Sequence, residues 1–347
     1  GDTKKWRNRM KGHFNGNRDF GIEIEFLIPR DKTQETIANA LRGVGVDCRV
    51  EGYNHTTRPH WKIVGDVSVD GNSTHTGSNE LVSPRLNGES GLRQVEKVCD
   101  VLNLLGCEVN KSCGLHVHQD VTDIVGESDH TATKFLKNLV LFCAKYENII
   151  YKLISPSRLD NRQYSIPVRR VFFRTQNMRL NNELSTIKND LDRKVKIVVN
   201  DKSESSVSGN LQHSRSCGLN LYKIWQRGSV EFRYHNGTLN FDKIKSWVVV
   251  TNAIVNSVES TNFVKLCNVP NGSRGLASFR GAIGFVGRSG NQDGTPYSND
   301  QLTKDANLFI QRRYRNLNAR QSAYARHHDY RFVSDGIFNI SNNQGVS

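Results

Sequence analysis

Apolar and polar residues alternate over several short stretches of the chain, which is the pattern of half-buried β-strands. The clearest stretch begins at Phe20, where every second residue of FGIEIEFLI is apolar and Glu23 and Glu25 stand in between. The same alternation predicts further strands at 61–70, 79–83, 113–119, 217–222 and 229–235.

Other stretches carry apolar residues three and four positions apart, which is the spacing of an amphipathic helix. This spacing predicts a helix over 89–106, with Gly106 at its end, and a longer helix over about 131–154. A third helix is predicted to begin near Asp242, and the chain from about 301 onwards has a helical, basic pattern. Strands and helices mixed in this way, without an internal repeat, predict an α+β sheet protein.

The pattern also divides the chain into three parts. Residues 1–19 form a basic N-terminal arm, 20–265 form the main domain, and 266–347 form a Gly/Ser-rich linker with a basic C-terminal extension. Within the main domain, 188–216 is polar and rich in Ser, Lys and Asp, so we expect an exposed insertion or loop there. Gly and Ser accumulate around 271–295, which predicts a linker or flexible loop.

The composition narrows the class of protein. A chain of 347 residues with 36% apolar residues can bury a sizeable core. No stretch approaches the roughly 18 consecutive apolar residues of a transmembrane helix, and the basic N-terminus lacks the apolar core of a secretory signal. The seven cysteines are odd in number and form no CxxC pair, so we expect reduced thiols. These features predict a globular, cytoplasmic protein.

The net charge is strongly positive, since 48 Lys and Arg residues stand against 34 Asp and Glu residues, a formal value of +14. Such a charge attracts polyanions, which include nucleic acids and anionic small substrates. The alternative is a basic surface that serves solubility, and the usual nucleic-acid-binding motifs are missing.

The most informative residues lie opposite the apolar faces of the predicted strands. Four segments carry charged, hydroxyl or imidazole side chains there: Glu23 and Glu25; Asp66, Ser68 and Asp70; His116 and His118; and Glu231, Arg233 and His235. One such segment alone is usually a solvated sheet face, but these residue types are those that bind metal ions and phosphate. Because clustered carboxylates repel one another unless a cation lies among them, we expect one sheet face to hold Mg²⁺ or Mn²⁺.

Several common motifs are absent, and this narrows the chemistry. The sequence has no GxxxxGKS/T phosphate loop, no GxGxxG after a strand, no HExxH and no GxSxG. Cys113 lies near His116 but faces away from both histidines on the predicted strand. A core cysteine is therefore favoured over a thiol nucleophile.

Taken in order, the motifs resemble one known family. They are GIEIEF, a DxS segment at Asp66 and Ser68, NELVSP, SCGLHVH, PSR, GLNL and SVEFRYHNGTL, followed by a helix with a tryptophan, Trp247. This succession over about 20–262 is similar to the amidoligase family, which belongs to the carboxylate–amine ligase superfamily of glutamine synthetase and glutamate–cysteine ligase. The arm 1–19 and the chain after about 265 lie outside the resemblance, and 188–216 fits it poorly.

The resemblance implies a fold and an activity. The fold is glutamine synthetase-like, a curved, mainly antiparallel sheet that forms a funnel with helices packed outside. The activity is ATP-dependent amide bond formation, in which metals bridge the ATP phosphates, a substrate carboxylate becomes an acyl phosphate and an amine displaces the phosphate. The implied cofactors are ATP and Mg²⁺ or Mn²⁺, and the implied partners are a carboxylate and an amine.

The resemblance also implies a role for single residues. The implied metal ligands are Glu23, Glu25, Glu80, His116 and Glu231, with Asp66 as a companion. Arg233 corresponds to an arginine that contacts the ATP phosphates or the acyl phosphate, and His118 lines the site or binds substrate. Arg158, Asn220 and His235 either bind ATP or substrate or support the fold, and Trp247 is assigned to the core.

Two other functions stay open. A metal-dependent phosphodiesterase or nuclease also needs clustered Asp, Glu and His residues and a basic surface. A non-catalytic descendant of the ligase fold could serve as a nucleic-acid-binding or structural component. The C-terminal extension bears on this, because it interleaves arginines and aromatic residues: Arg312, Arg313, Arg315, Arg320, Arg326 and Arg331 with Tyr314, Tyr324, Tyr330 and Phe332. These could contact a polyanion, or the aromatics could pack on the domain with the arginines in solvent.

Overall fold

A computed structural model describes residues 13–154, 167–168, 180–211, 215–265, 269–286 and 300–325. The chain divides into two compact units. One comprises Asn15–Gln119 and His235–Val248, and we call it the strand-rich unit. The other comprises Gly1–Phe14, Asp120–Tyr234 and Val249–Ser347, and we call it the helix-rich unit.

The strand-rich unit is built on a mostly antiparallel sheet. Its strands are β1 (Phe20–Pro29), β2 (Cys48–Val50), β3 (Trp61–Gly65), β4 (His75–Val82) and β5 (Gly114–Asp120), whose last residue belongs to the other unit. They lie in the order β2-β3-β4-β1-β5. The pair β2/β3 is parallel, while β3/β4, β4/β1 and β1/β5 are antiparallel. Among its described residues the unit also contains two whole helices, α1 (Gln34–Gly43) and α2 (Gly88–Leu104).

Strand register gives this sheet one apolar face and one polar face. One row of residues that oppose each other across four strands is wholly buried: Ile63, Leu81, Ile24 and Leu115. The helices supply further buried apolar residues, among them Leu41 of α1 and Val95 of α2. The Nε1 atom of Trp61 donates a hydrogen bond to Gln94 of α2 at 3.1 Å. The opposite face, where alternate residues of β1 point, is therefore the one that can carry polar chemistry.

The helix-rich unit contains most of the helices and one short strand pair. Its helices are α3 (Thr122–Val125), α4 (Asp129–Lys152), α5 (Leu180–Asp201), α6 (Glu204–Asn210), α7 (Ile224–Arg227), α8 (Phe241–Glu259), α9 (Ser273–Ala282) and α10 (Gln301–Ala325), of which α8 begins in the strand-rich unit. Strand β6 (Leu219–Asn220) pairs antiparallel with β7 (Ser229–Asn236), whose last two residues belong to the strand-rich unit. The predicted mixture of helices and mainly antiparallel strands is confirmed.

Three predicted elements differ from the structure. The strand predicted over 61–70 ends at Gly65, and Asp66–Val69 is a turn in which Val67 is 97% exposed. The strand predicted over 217–222 is reduced to the two residues of β6. The loop predicted over 188–216 is largely helical, because α5 and α6 occupy it and bury Leu191, Val195 and Val207.

The described residues after 265 contain a helix where the composition predicts a linker. Helix α9 lies inside the predicted linker 271–295 and buries Leu276 and Phe279. The predicted basic helix is present as α10, where Tyr314 is buried and Arg312 and Arg315 are exposed. In the described part of the extension, this is the arrangement expected for an aromatic residue that packs on the domain.

Three further expectations can be compared with the described residues. The six cysteines among the described residues are buried free thiols. Cys113 packs with Leu27 and Val69, which confirms the core assignment. None of the helices in the described segments has the length and apolarity that a bilayer crossing requires.

Candidate functional site

The polar face of the strand-rich sheet gathers acidic side chains from neighbouring strands. Glu25 of β1 opposes Glu80 of β4, and Glu23 of β1 opposes His116 of β5. Opposed residues on antiparallel strands have their Cβ atoms about 5 Å apart. Strand pairing therefore brings together four of the residues that the sequence predicts as metal ligands.

The turn after β3 adds two more side chains to this face. The backbone N–H groups of Asp66 and Ser78 bond to Ser78 O at 3.0 Å and Val69 O at 2.8 Å, so the turn is held against β4. Ser78 has a φ of 62°, a left-handed conformation that few non-glycine residues adopt. The Ser68 hydroxyl then lies 2.5 Å from Asp66 Oδ1 and 3.3 Å from Glu25 Oε2. Asp66 thus joins the cluster as expected, although from a turn rather than a strand.

Glycine makes this turn possible. A Cβ atom on Gly77 would come within 2.4 Å of Gly71 N and within 2.5 Å of Val69 O. Conversely, a Cβ atom on Gly71 would come within 2.7 Å of Gly77 N. The two backbones approach too closely for any side chain, so this glycine pair determines where Asp66 and Ser68 lie.

Both histidines of β5 contact the carboxylates. His116 Nδ1 lies 2.9 Å from Glu23 Oε2, and its Nε2 lies 3.9 Å from Glu25 Oε1. His118 Nε2 lies 3.3 Å from Glu23 Oε1. The backbone N–H of Gly114 donates to Glu25 Oε1 at 2.6 Å. Imidazoles and a backbone amide therefore orient the carboxylates on this face.

The cluster changes the acidity of its members. Burial raises the pKa of Glu80 well above its usual range, and the charges of Glu23, Asp66 and Glu25 raise it further. Burial also raises the pKa of Glu23, but its contacts with His118 and His116 outweigh this, and that pKa lies well below its usual range. The carboxylates of this site therefore carry more negative charge than the two neighbouring histidines neutralise.

The donor set fits a hard divalent cation. Four carboxylates, Glu23, Glu25, Asp66 and Glu80, with the imidazole of His116 offer mainly oxygen ligands, which Mg²⁺ and Mn²⁺ prefer. Burial and the neighbouring carboxylates raise the pKa of Glu80, and a cation bound among these oxygens would offset their repulsion. These side chains therefore match a divalent cation in the type of their ligand atoms and in their charge.

The helix-rich unit presents the other predicted residues on β6 and β7. Glu231 and Arg233 share one face of β7, where Arg233 Nη1 lies 3.0 Å from Glu231 Oε1. On the other face Val230, Phe232 and Tyr234 are wholly buried. The alternation predicted for this strand is confirmed, and its acid and base form an ion pair.

Close backbone packing fixes this part of β7. The N–H of Arg233 donates to Gly218 O at 2.7 Å. A Cβ atom on Gly218 would come within 2.1 Å of the Tyr234 ring, so only glycine leaves room for that ring. Tyr234 in turn donates a hydrogen bond from its hydroxyl to Glu147 Oε1 at 2.7 Å.

Glu147 is a buried polar residue that the sequence analysis did not single out. It lies on α4 with no exposed surface, and it also accepts a hydrogen bond from the N–H of Val168. Burial raises the pKa of Tyr234 well above its usual range, and the nearby Glu147 and Cys143 raise it further. The sequence feature that could have pointed to Glu147 is a glutamate among the apolar, core-facing positions of a predicted helix.

The remaining predicted residues have structural contacts or lie outside the description. The amide of Asn220 bonds to its own segment, donating to Arg215 O and accepting from Tyr222 N, each at 2.9 Å. The ring of His235 is buried and lies 5.4 Å from that of Trp247, between centroids. Arg158 lies outside the described residues. Nucleic-acid contact through the C-terminal extension stays a prediction.

The comparison with known families agrees with the resemblance. A family model described as "Putative amidoligase enzyme" matches residues 16–255, which is well over half of the chain. No curated protein matches the chain. The matched range includes β1, the acidic face of the strand-rich sheet and the Glu231–Arg233 pair of β7. The chain therefore belongs to the amidoligase family.

Proposed function

We propose that this protein joins a carboxylate to an amine in an ATP-dependent reaction that passes through an acyl phosphate. Membership of the amidoligase family supports ligase activity. The observation that carries the finer proposal is the acidic cluster of the strand-rich unit, where Glu25 opposes Glu80 and Asp66 joins them. Such a charge excess suits a site for the metal-bound triphosphate of a nucleotide.

We assign the metal to Glu23, Glu25, Glu80 and His116, with Asp66 as a companion and Glu231 as the ligand that the family resemblance adds. A bound Mg²⁺ or Mn²⁺ would neutralise the negative charge of the ATP phosphates. A glutamine synthetase-like arrangement of the sheet is part of the same proposal, and the antiparallel pairing of β4, β1 and β5 supports it.

The chain's own residues then have distinct tasks. An oxygen of the substrate carboxylate attacks the γ-phosphorus, and the bond to the bridging oxygen of ADP breaks. The amine nitrogen next attacks the acyl carbon, phosphate leaves with the bonding electron pair, and the amine loses a proton to give the amide. Arg233 binds phosphate oxygens through its planar, bidentate donor edge. His118, which Glu23 contacts at 3.3 Å, faces the substrate and can take up the amine proton.

The decisive experiment measures ADP release by the full-length protein across pooled carboxylates and amines, followed by mass spectrometry of the products. We expect ADP to form only when both a carboxylate and an amine are present, with a product lighter by one water than the two substrates combined. ATP turnover independent of both substrates would contradict the proposal. Metal-dependent cleavage of a phosphodiester without ATP would favour the nuclease alternative.

A further inference from the structure

A second cationic side chain lies beside the strand pair that carries Glu231 and Arg233. Arg215 is exposed and precedes β6 by a few residues. Its guanidinium carbon lies 3.9 Å from the centroid of the Tyr222 ring, and one of its terminal nitrogens contacts the Tyr222 hydroxyl. The guanidinium therefore lies over the Tyr222 ring although it is open to solvent.

The side chain of Asn220 joins both partners of this stack. Its Nδ2 donates to the carbonyl oxygen of Arg215, and its Oδ1 accepts from the N–H of Tyr222, each at 2.9 Å. Asn220 itself opposes Glu231 in the β6–β7 pair. One amide therefore ties the Arg215–Tyr222 stack to the strand position next to Glu231.

Glu204 is an acidic residue near this stack, and its pKa is lowered by Lys223, by the Tyr222 hydroxyl and by the charge of Arg215. Arg233 is paired with Glu231. Glu204 is in an ion pair with Lys223, and within the described residues no carboxylate lies at ion-pair distance from the Arg215 guanidinium, which contacts the ring and hydroxyl of Tyr222. A guanidinium that is stacked through its face still has in-plane N–H groups with which to bind oxygen atoms in pairs.

We propose that Arg215 is a phosphate-binding residue, held in place by Tyr222 and Asn220. The proposal rests on the proposed function, because the phosphate in question is the triphosphate chain of the nucleotide. Asn220 acts through Arg215 as a positioning residue, since both of its polar atoms hold the stack. This gives Asn220 a physical role in nucleotide binding without direct contact to the nucleotide.

The test measures binding of inorganic tripolyphosphate to the full-length protein by calorimetry at low salt, so that no turnover is needed. We expect Arg215→Gln to weaken binding by about five-fold or more and Arg215→Lys to restore only part of it, since an ammonium lacks the planar fork. Arg193→Gln is the matched control, because Arg193 is an exposed arginine of the same unit. It should stay within about two-fold of the unchanged protein.

A double-mutant cycle tests the role of Asn220. If Asn220 acts only through Arg215, Asn220→Ala weakens tripolyphosphate binding in the native background and has no further effect in the Arg215→Gln background. Additive effects would overturn the positioning role. Equal tripolyphosphate binding by Arg215→Gln and the unchanged protein, or no binding by either, would overturn the phosphate site.

The test of Arg215 as a phosphate-binding residue can fail or succeed independently of the test of the ligase activity. Should ADP release require no amine while Arg215→Gln still loses tripolyphosphate binding, the phosphate site stands and the amide chemistry is wrong. Should amide formation proceed with unchanged tripolyphosphate binding in Arg215→Gln, the ligase stands and Arg215 has another role.

Discussion

Strands β1 and β7 carry the same alternation of acidic and apolar residues, but their electrostatic surroundings are opposite. On β1, Glu23 and Glu25 meet Glu80 and Asp66, with the imidazoles of His116 and His118 beside them. On β7, Glu231 is bound to Arg233 two positions further along the same strand. Negatively charged side chains therefore cluster around β1, whereas on β7 the charge of Glu231 is neutralised by Arg233.

The difference shows what a binary pattern can and cannot reveal. Alternation tells which residues share a face, but the neighbouring strands decide whether that face is charged or balanced. The excess carboxylates around β1 suit a divalent cation, and the arginines around β7 suit the phosphate groups that such a cation accompanies. Variants of β1 should therefore change mainly metal binding, and variants of β7 should change mainly phosphate binding.

The largest expected effect comes from removing a charge at the centre of the β1 cluster. Glu23→Gln should weaken binding of Mn²⁺ by about 100-fold or more, because the carboxylate oxygens there are oriented by two histidines. Calorimetric titration of the metal-free protein measures this. Glu96→Gln is the control, since Glu96 is an exposed glutamate of α2 in the same unit. Unchanged affinity in Glu23→Gln would exclude that residue as a ligand.

The second largest effect is a loss of stability when the close backbone packing beside β7 is disturbed. Gly218→Ala puts a methyl group within 2.1 Å of the Tyr234 ring, so the ring and the β6–β7 pair must move apart. We expect the free energy of unfolding to fall by about 2 kcal/mol or more, as for an overpacked core. Urea denaturation measures this, with Gly209→Ala as control, because nothing lies within 4 Å of a Cβ atom there. Equal losses in both variants would contradict the steric explanation.

Much of the strand-rich unit could be predicted because its signals are local. The strands β1, β4 and β5 follow alternation, and the longer helices follow a spacing of three and four. The turn at Asp66 could not be predicted, because GDVSVD alternates as a strand would. What turns the chain is the left-handed Ser78 and the close approach of Gly71 to Gly77, and all three residues lie after that segment.

The helical segment 188–216 was missed although its signal was present. Leu191, Val195 and Val198 recur at helical spacing and are buried, but the many polar residues between them dominated the composition. A helix needs only one apolar stripe to pack, so composition was the wrong guide.

The residues of the candidate site also fall into those that the sequence could indicate and those that it could not. Glu23, Glu25, His116 and Glu231 could be named because strand alternation sets them apart. Ser68, Glu147 and Arg215 could not, because their roles depend on contacts with Glu25, Tyr234 and Tyr222 that no local pattern shows.

The third prediction concerns the arginine that distinguishes β7 from β1. Arg233→Lys should lower ATP-dependent turnover by about ten-fold or more, because an ammonium cannot bind two phosphate oxygens at once. Its affinity for Mn²⁺ should stay within about two-fold, since the positive charge is kept. ADP release and calorimetry measure the two quantities. Near-normal turnover in a folded Arg233→Lys protein would remove Arg233 from the phosphate site.

The smallest expected effect uses pH to measure the charge excess around β1 directly. Because the pKa of Glu80 is raised in the folded protein, its protonated form stabilises the fold. That stability is fully present below the unfolded pKa of about 4.5, and it is lost as the pH rises through the folded pKa. Glu80→Gln removes the repulsion at every pH. Metal-free Glu80→Gln should therefore unfold at a higher urea concentration than the unchanged protein near pH 8.

The pH dependence and the metal together identify the cause. At about pH 4 the two proteins should unfold at similar urea concentrations, because Glu80 is then protonated in both states of the unchanged protein. Adding Mn²⁺ near pH 8 should stabilise the unchanged protein and have less effect on Glu80→Gln, since a ligand that binds only the folded state stabilises it. A Glu80→Gln protein that is no more stable than the unchanged one near pH 8 without metal would show that the β1 cluster balances its own charge, as β7 does.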